Sequence, residues 1–318
     1  MDYLILVVGL VLLTVGADWL TKGCVGMATR FRVPEFVVGL TVMAVGTSMP
    51  ELTVSAMSAL NGSSDMAIGN VTGSNLFNTL IILGICALIK PLVFTKEIIR
   101  RDILVCIGAS LLLAAFTLYI GAERCISRWE GMVLLSLYVI STIYAIRTGR
   151  NDKADAEAGT TDGSGEEVNM GWGKVMMFIV IGLVGLIFGG NLCLNSATAI
   201  ARAWGVSEAI IAVTVVAAGT SLPELASSAA AVVNNKPSLA LGNILGSNIA
   251  NILLILGVCG SITPLTMGGI TPLDIWMVVA AAVVLLISAL VVGVRRITRV
   301  EGAIYLAIYV GYVVMLLR

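Results

Sequence analysis

The sequence predicts an all-α polytopic membrane protein, with ten transmembrane helices arranged as two inverted five-helix repeats. Three observations carry that prediction. The 318 residues are 58% hydrophobic and 12% charged, with a mean hydropathy of +1.01, against about 25% charged residues in soluble domains. The apolar residues fall into runs of about 20, the length that crosses a bilayer. Thr41–Cys86 also aligns without a gap with Thr214–Cys259, a shift of 173 residues, at 24 of 46 positions. Shared apolar composition does not produce that degree of identity.

Taken in order, spans are expected near Tyr3–Thr21, Phe36–Leu60, Met66–Ile89, Ile103–Ile120 and Trp129–Ile146, forming a first repeat over 1–146. A second repeat over 172–318 holds spans near Val175–Ala201, Ala209–Val233, Ser238–Gly260, Ile275–Val294 and Ala303–Leu317. The first run reads as a retained span, because no basic leader precedes Tyr3 and the run leads into Asp18, Trp19 and Lys22. Gly and Pro inside later runs are tolerated where neighbours satisfy the backbone. Residues 147–171, rich in Asp, Glu, Gly, Ser and Thr, read as a polar solvated linker.

Five is an odd number of spans, so equivalent helices cross in opposite directions and the repeats are inverted. The second, third, seventh and eighth spans then meet at the centre. With the N-terminus outside, 15 of the 19 Lys and Arg residues fall on the cytoplasmic side and 4 outside. The positive-inside rule therefore places both termini outside and the linker in the cytoplasm of a multi-pass cell-membrane protein. Asp18 aligns with Asn191, outside the symmetric core, and has Lys22 four residues on as an expected partner in a local interfacial ion pair, with a gating role as the alternative.

Histidine is absent, which removes the commonest zinc ligand. The six cysteines form no CxxC pair and read as small buried filler. No nucleotide loop or soluble domain is present to support an enzyme or a nucleic-acid binder.

The chemistry sits in the repeat. Gly46-Thr47-Ser48-Met49-Pro50-Glu51-Leu52 recurs as Gly219-Thr220-Ser221-Leu222-Pro223-Glu224-Leu225. A carboxylate at membrane depth costs about 3 kcal/mol on insertion scales, so Glu51 and Glu224 read as functional. Pro50 removes a helix hydrogen bond, and a break there would free carbonyls such as those of Ala44 and Val45. Carbonyls, hydroxyls and carboxylates are hard donors suited to sodium or calcium. Ser48-x-x-Glu51 and Ser221-x-x-Glu224 also fit a capping box, in which serine and glutamate satisfy helix-start donors. Both roles can coexist if the cap fixes the carboxylate.

In the third span Ser74 and Asn78 share a helix face, as do Ser247 and Asn251 in the eighth. Interhelical hydrogen bonding is the alternative to ion binding for these four. Gly69, Gly73, Gly242 and Gly246 are spaced for close helix packing. Asn70, Asn75, Asn243 and Asn248 are expected to bond freed backbone.

The doubled GTSMPEL/GTSLPEL and GNVTGSNLFN/GNILGSNIAN segments resemble the two α-repeats of the cation/calcium exchanger superfamily, closest to its prokaryotic sodium/calcium exchanger branch. The resemblance implies an antiporter with four central cation sites. Glu51 and Glu224 would be shared ligands, Thr47 and Thr220 would serve calcium, and Ser48 and Ser221 outward-side sodium. The carbonyls of Ala44 and Ala217, with Ser74 and Ser247, would complete the sodium sites. The first and sixth spans would slide across this core. Exchangers of this kind carry an acid where this chain has Asn251, opposite Asn78, so only two carboxylates remain. They offset one Ca²⁺ or two Na⁺.

The resemblance implies Ca²⁺ and Na⁺ as transported substrates with no resident cofactor, in a lipid-embedded monomer. A calcium/proton antiporter of the same superfamily is the alternative, followed by a passive cation channel.

Overall fold

The computed structural model describes residues 2–120, 125–159, 170–205, 217–292 and 295–316. Its helices are α1 (Asp2–Phe31), α2 (Glu35–Thr47), α3 (Met49–Leu60), α4 (Ser64–Ile89), α5 (Ile98–Tyr119) and α6 (Arg128–Gly159). After the linker come α7 (Trp172–Ala203), α8 (Ala217–Gly219), α9 (Leu222–Val233), α10 (Pro237–Ile262), α11 (Pro272–Leu290) and α12 (Arg299–Leu316).

Eight of these helices are long and apolar enough to cross a membrane, and α2 with α3 makes a ninth span bent by 46°. The bend falls at Ser48, with Pro50 in the first turn of α3, as expected where proline interrupts the hydrogen-bond ladder. The expected seventh span, Ala209–Val233, is represented by α8 and α9; its residues 206–216 lie outside the described ones.

Several helices outrun the expected spans. The first continues past Thr21 to Phe31, and the fifth past Ile146 to Gly159, into the stretch read as linker. Helical propensity and backbone pairing carry on into polar sequence where nothing breaks them, and hydropathy reports only the apolar part. Arg30, in the last turn of α1, donates from Nε to the Met170 carbonyl at 2.8 Å and lies over the Trp172 ring.

α10 and α4 form the centre, with 94% and 72% of their apolar windows buried, whereas α6 and α12 have 17%. Glycine permits the closest approaches. A Cβ at Gly242 would collide with the Phe36 carbonyl, and one at Gly246 with the Leu40 carbonyl, so α10 meets α2 backbone to backbone. Gly69 meets only Ile270 among the described residues, and Gly73 has no described neighbour within 4 Å. The counterparts of Phe36–Leu40 in the second half, residues 209–213, are outside the described set.

Among the described residues, two short antiparallel ladders tie the halves together. β1 (Leu92–Val93) pairs with β4 (Arg296–Ile297), and β2 (Cys125–Ile126) with β3 (Leu265–Thr266). Five cysteines are buried as expected; Cys125, in β2, is half-buried.

Candidate ion-binding site

The α2–α3 break and its counterpart before α9 have matching geometry. Ser48 has φ −82° and ψ 8°, and Ser221 has φ −89° and ψ 8°, each just before a helix with proline in its first turn. The next turn carries the carboxylates, and Glu51 and Glu224 are only 1% and 2% exposed.

The capping boxes expected at these breaks do not form: neither serine side chain caps its own helix. Ser48 Oγ instead donates to Glu224 Oε1 at 2.8 Å, and Ser221 Oγ to Glu51 Oε1 at 3.1 Å. The serines are exchanged between the halves. The physical reason is burial. A buried carboxylate needs a donor, and the opposite half supplies a hydroxyl facing it. Capping boxes form instead at Ser127/Glu130, Thr271/Asp274 and Thr298/Glu301.

The Ala44 carbonyl is likewise not released. It accepts the Ser48 N–H at 3.0 Å and lies 3.3 Å from Thr47 Oγ1. Ala217 opens α8, and nothing upstream of it back to residue 206 is described. Thr47 Oγ1 donates within its own helix to the Met43 carbonyl at 3.1 Å and lies 3.3 Å from Asn243 Oδ1.

α4 and α10 each change character at one point. Phe77–Ile82 and Ala250–Ile255, related by the 173-residue shift, are wide π-type turns inside otherwise α-helical spans. Such turns frequently mark functional sites. Asn78 and Asn251 sit at the second position of each. Ser74 Oγ lies 3.2 Å from Ser221 Oγ, which brings α4 to the second break.

Many oxygens here have no partner. Glu51 Oε2, Glu224 Oε2, Thr220 Oγ1, Ser247 Oγ, both polar atoms of Asn78 and Asn251 Oδ1 are buried without a hydrogen-bond partner among the described residues. Buried polar groups are normally paired, and the oxygens among these seven atoms, on six residues of one expected ligand set, are available to coordinate a cation. All but one, the Asn78 amide nitrogen, are oxygens. That donor set fits Na⁺ or Ca²⁺ and offers nothing to a soft metal.

A surrounding shell holds these groups. Asn70 Nδ2 donates to Ser55 Oγ at 3.0 Å and to the Glu51 carbonyl at 3.3 Å. Asn243 Nδ2 donates to Ser228 Oγ at 2.9 Å and Ser227 Oγ at 3.1 Å, bonding hydroxyls where backbone was expected. Asn251 Nδ2 donates to Asn75 Oδ1 at 3.1 Å, Asn75 Nδ2 to the Asn248 carbonyl at 3.3 Å, and Asn248 Nδ2 to Thr79 Oγ1 at 2.8 Å. Sequence reasoning passed over Ser55 and Ser228. The available signal was their identity across the repeat, four residues after each glutamate.

Comparison with known proteins gives the family. A family model described as sodium/calcium exchanger protein matches residues 1–147 and 174–318. A provisionally named antiporter, CaxA, of Alkalimonas amylolytica is 36% identical over 307 residues, 96% of this chain and 95% of its own. The sodium/calcium exchanger MaX1 of Methanosarcina acetivorans is 30% identical over 344 residues, 99% of this chain and 98% of its own. A solved structure of the sodium-calcium exchanger NCX_Mj, soaked with zero Na⁺ and Ca²⁺, superposes with a TM-score of 0.83 at 31% identity, covering 99% of this chain and 98% of that one. With buried glutamates at two matched helix breaks and a family match on both sides of the linker, this chain belongs to the sodium/calcium exchanger protein family.

Proposed function

We propose that this protein is a secondary antiporter that exchanges Na⁺ for Ca²⁺ by alternating access, with the ions held between Glu51 and Glu224. The observation that carries this reading is the set of orphaned oxygens: six of the twelve expected ligand residues bear a buried oxygen with no hydrogen-bond partner among the described residues. Glu51 and Glu224 neutralise Ca²⁺ or two Na⁺. Thr47, Thr220 and the Ala44 and Ala217 carbonyls lie beside them on the broken helices, with Ser48 and Ser221 directing each carboxylate. Ser74, Ser247, Asn78 and Asn251 complete the oxygen cage from α4 and α10.

The same reading includes ten spans in two inverted repeats, both termini outside, the linker in the cytoplasm, a monomer in the lipid bilayer and no resident cofactor. The matched backbone angles at Ser48 and Ser221, and the matched π turns, support the repeat. Sodium-gradient-driven radiocalcium uptake into proteoliposomes tests the function. Wild-type protein is expected to transport, and Glu51→Gln and Glu224→Gln are each expected to abolish transport. Near-normal uptake in either variant sinks the site assignment. Calcium movement driven by a pH gradient without sodium would establish proton exchange instead.

A further inference from the structure

A cavity of about 220 Å³ lies between α7, α3 and the turn before α9, lined by Pro50, Thr53, Asn191, Leu194, Thr220 and Pro223. Thr220, whose buried hydroxyl is one of the orphaned oxygens, is among the lining residues, so the cavity abuts the expected ion site. The 173-residue shift carries those six positions onto Pro223, Ala226, Asp18, Thr21, Thr47 and Pro50. This second set is the inverted counterpart of the cavity, and it is shut. Thr47 is 0% exposed, Ala17 1% and Thr21 2%, with α1 lying along α9. At the mouth, Asp18 Oδ1 accepts from Asn234 Nδ2, just past the end of α9, at 3.0 Å. Asp18 Oδ2 accepts from Lys22 Nζ at 2.6 Å.

The helices on either side of this contact differ in how firmly they are joined. α1 and α7 meet through glycines: a Cβ at Gly16 would lie 2.9 Å from the Gly182 carbonyl, and one at Gly189 would lie 2.8 Å from the Gly9 carbonyl. Backbone packing of that kind makes the pair one body. Against α9, the contact at Asp18 is a single side-chain hydrogen bond with Asp18 and Lys22 part-exposed, which a shift of the pair would break.

We propose that Asp18 is a gate residue. Bonded to Asn234, it latches the passage on its own side of the membrane. When the α1–α7 pair shifts, it lines the reopened passage as a carboxylate that offsets Lys22, so that cations moving toward Glu51 and Glu224 meet no net positive charge. The opposite passage carries the neutral Asn191 and Asn195 at the positions of Asp18 and Lys22, so neither pair brings net charge to its mouth until one member is substituted. An uncompensated negative charge at the rim of a narrow passage raises the local cation concentration, and an uncompensated positive charge lowers it. The assignment of Asp18 rests on the inverted-repeat antiporter reading above.

The test uses full-length protein in proteoliposomes with a Thr21→Cys reporter, labelled by a membrane-impermeant maleimide from the Asp18 side. Labelling of the same protein without the reporter is subtracted. Adding Asn234→Ala is expected to speed labelling about fivefold, the scale of one charge-assisted hydrogen bond discounted for solvent exposure. Ala17→Cys serves as a second reporter should Thr21→Cys misfold. Asp18→Asn is expected to raise the Ca²⁺ half-saturation on its own face alone, and Asn191→Asp to lower it on the opposite face alone. An unchanged labelling rate, or half-saturation moving equally on both faces, overturns the gate while leaving sodium-driven uptake intact. Absence of that uptake in wild type overturns the antiporter reading instead.

Discussion

Replacing Ser48 by alanine removes the hydroxyl that donates to Glu224 Oε1 at 2.8 Å, not a cap on the helix that Ser48 precedes. Both partners are nearly inaccessible, at 3% and 2% exposure, so solvent does not screen the loss. A hydrogen bond to a charged group contributes about 1.5–3 kcal/mol. At 1.4 kcal/mol per decade, that is a rise of about tenfold to a hundredfold in the Ca²⁺ half-saturation. The assay is radiocalcium uptake at varied Ca²⁺ with Ser48→Ala alone and in two charge-preserving backgrounds. In Glu224→Asp, where the carboxylate is a methylene shorter and the bond is already lost, Ser48→Ala is expected to add less than about twofold. In Glu51→Asp it is expected to add its full effect. Full additivity with Glu224→Asp, or an effect absorbed by Glu51→Asp, would refute the exchange of serines and restore the local capping box.

Three further outcomes follow from the packing and the hydrogen bonds. Ser247→Ala removes a buried hydroxyl with no partner among the described residues, so sodium half-saturation should rise several-fold while ion-free thermal stability stays level or increases. Gly242→Ala drives a methyl into the Phe36 carbonyl and should lower the melting temperature by several degrees. Gly108→Ala, with nothing within 4 Å, should leave it unchanged, and equal melting temperatures would contradict the close packing of α10 on α2. Tyr312→Phe deletes the 2.6 Å bond to Asp274 Oδ1 and should cost about 1–2 kcal/mol of stability without altering transport.

Glu51 and Glu224 were legible because the duplication doubled a motif that a single copy would have left ambiguous. Asn78 and Asn251 were legible from helix spacing. The partner of each serine was not, because Ser-x-x-Glu is a local pattern and the actual bonds join residues 176 and 170 positions apart. Only the meeting of the two halves decides between a cap and a cross-link. The π turns at Phe77–Ile82 and Ala250–Ile255 have no composition that distinguishes them from the α-helix around them. Helix ends were missed for a simpler reason. Hydropathy falls where Arg147 and the following polar residues begin, but backbone hydrogen bonds continue to Gly159. Asp18 and Lys22 were paired from spacing, whereas Asn234 joined them only through the fold.

The crossed serines also bear on how the protein is made. Ser221 leaves the ribosome 170 residues after Glu51, which at about 5–20 residues per second is a delay of about 10–35 s. Throughout that interval an inserted first half holds Glu51 without the hydroxyl that will meet it, and β1 without the strand that will pair it. Biogenesis therefore has a vulnerable window that ends only when the second half arrives. A cell that stalls translation in the linker would accumulate a half-exchanger with a bare acid in the bilayer.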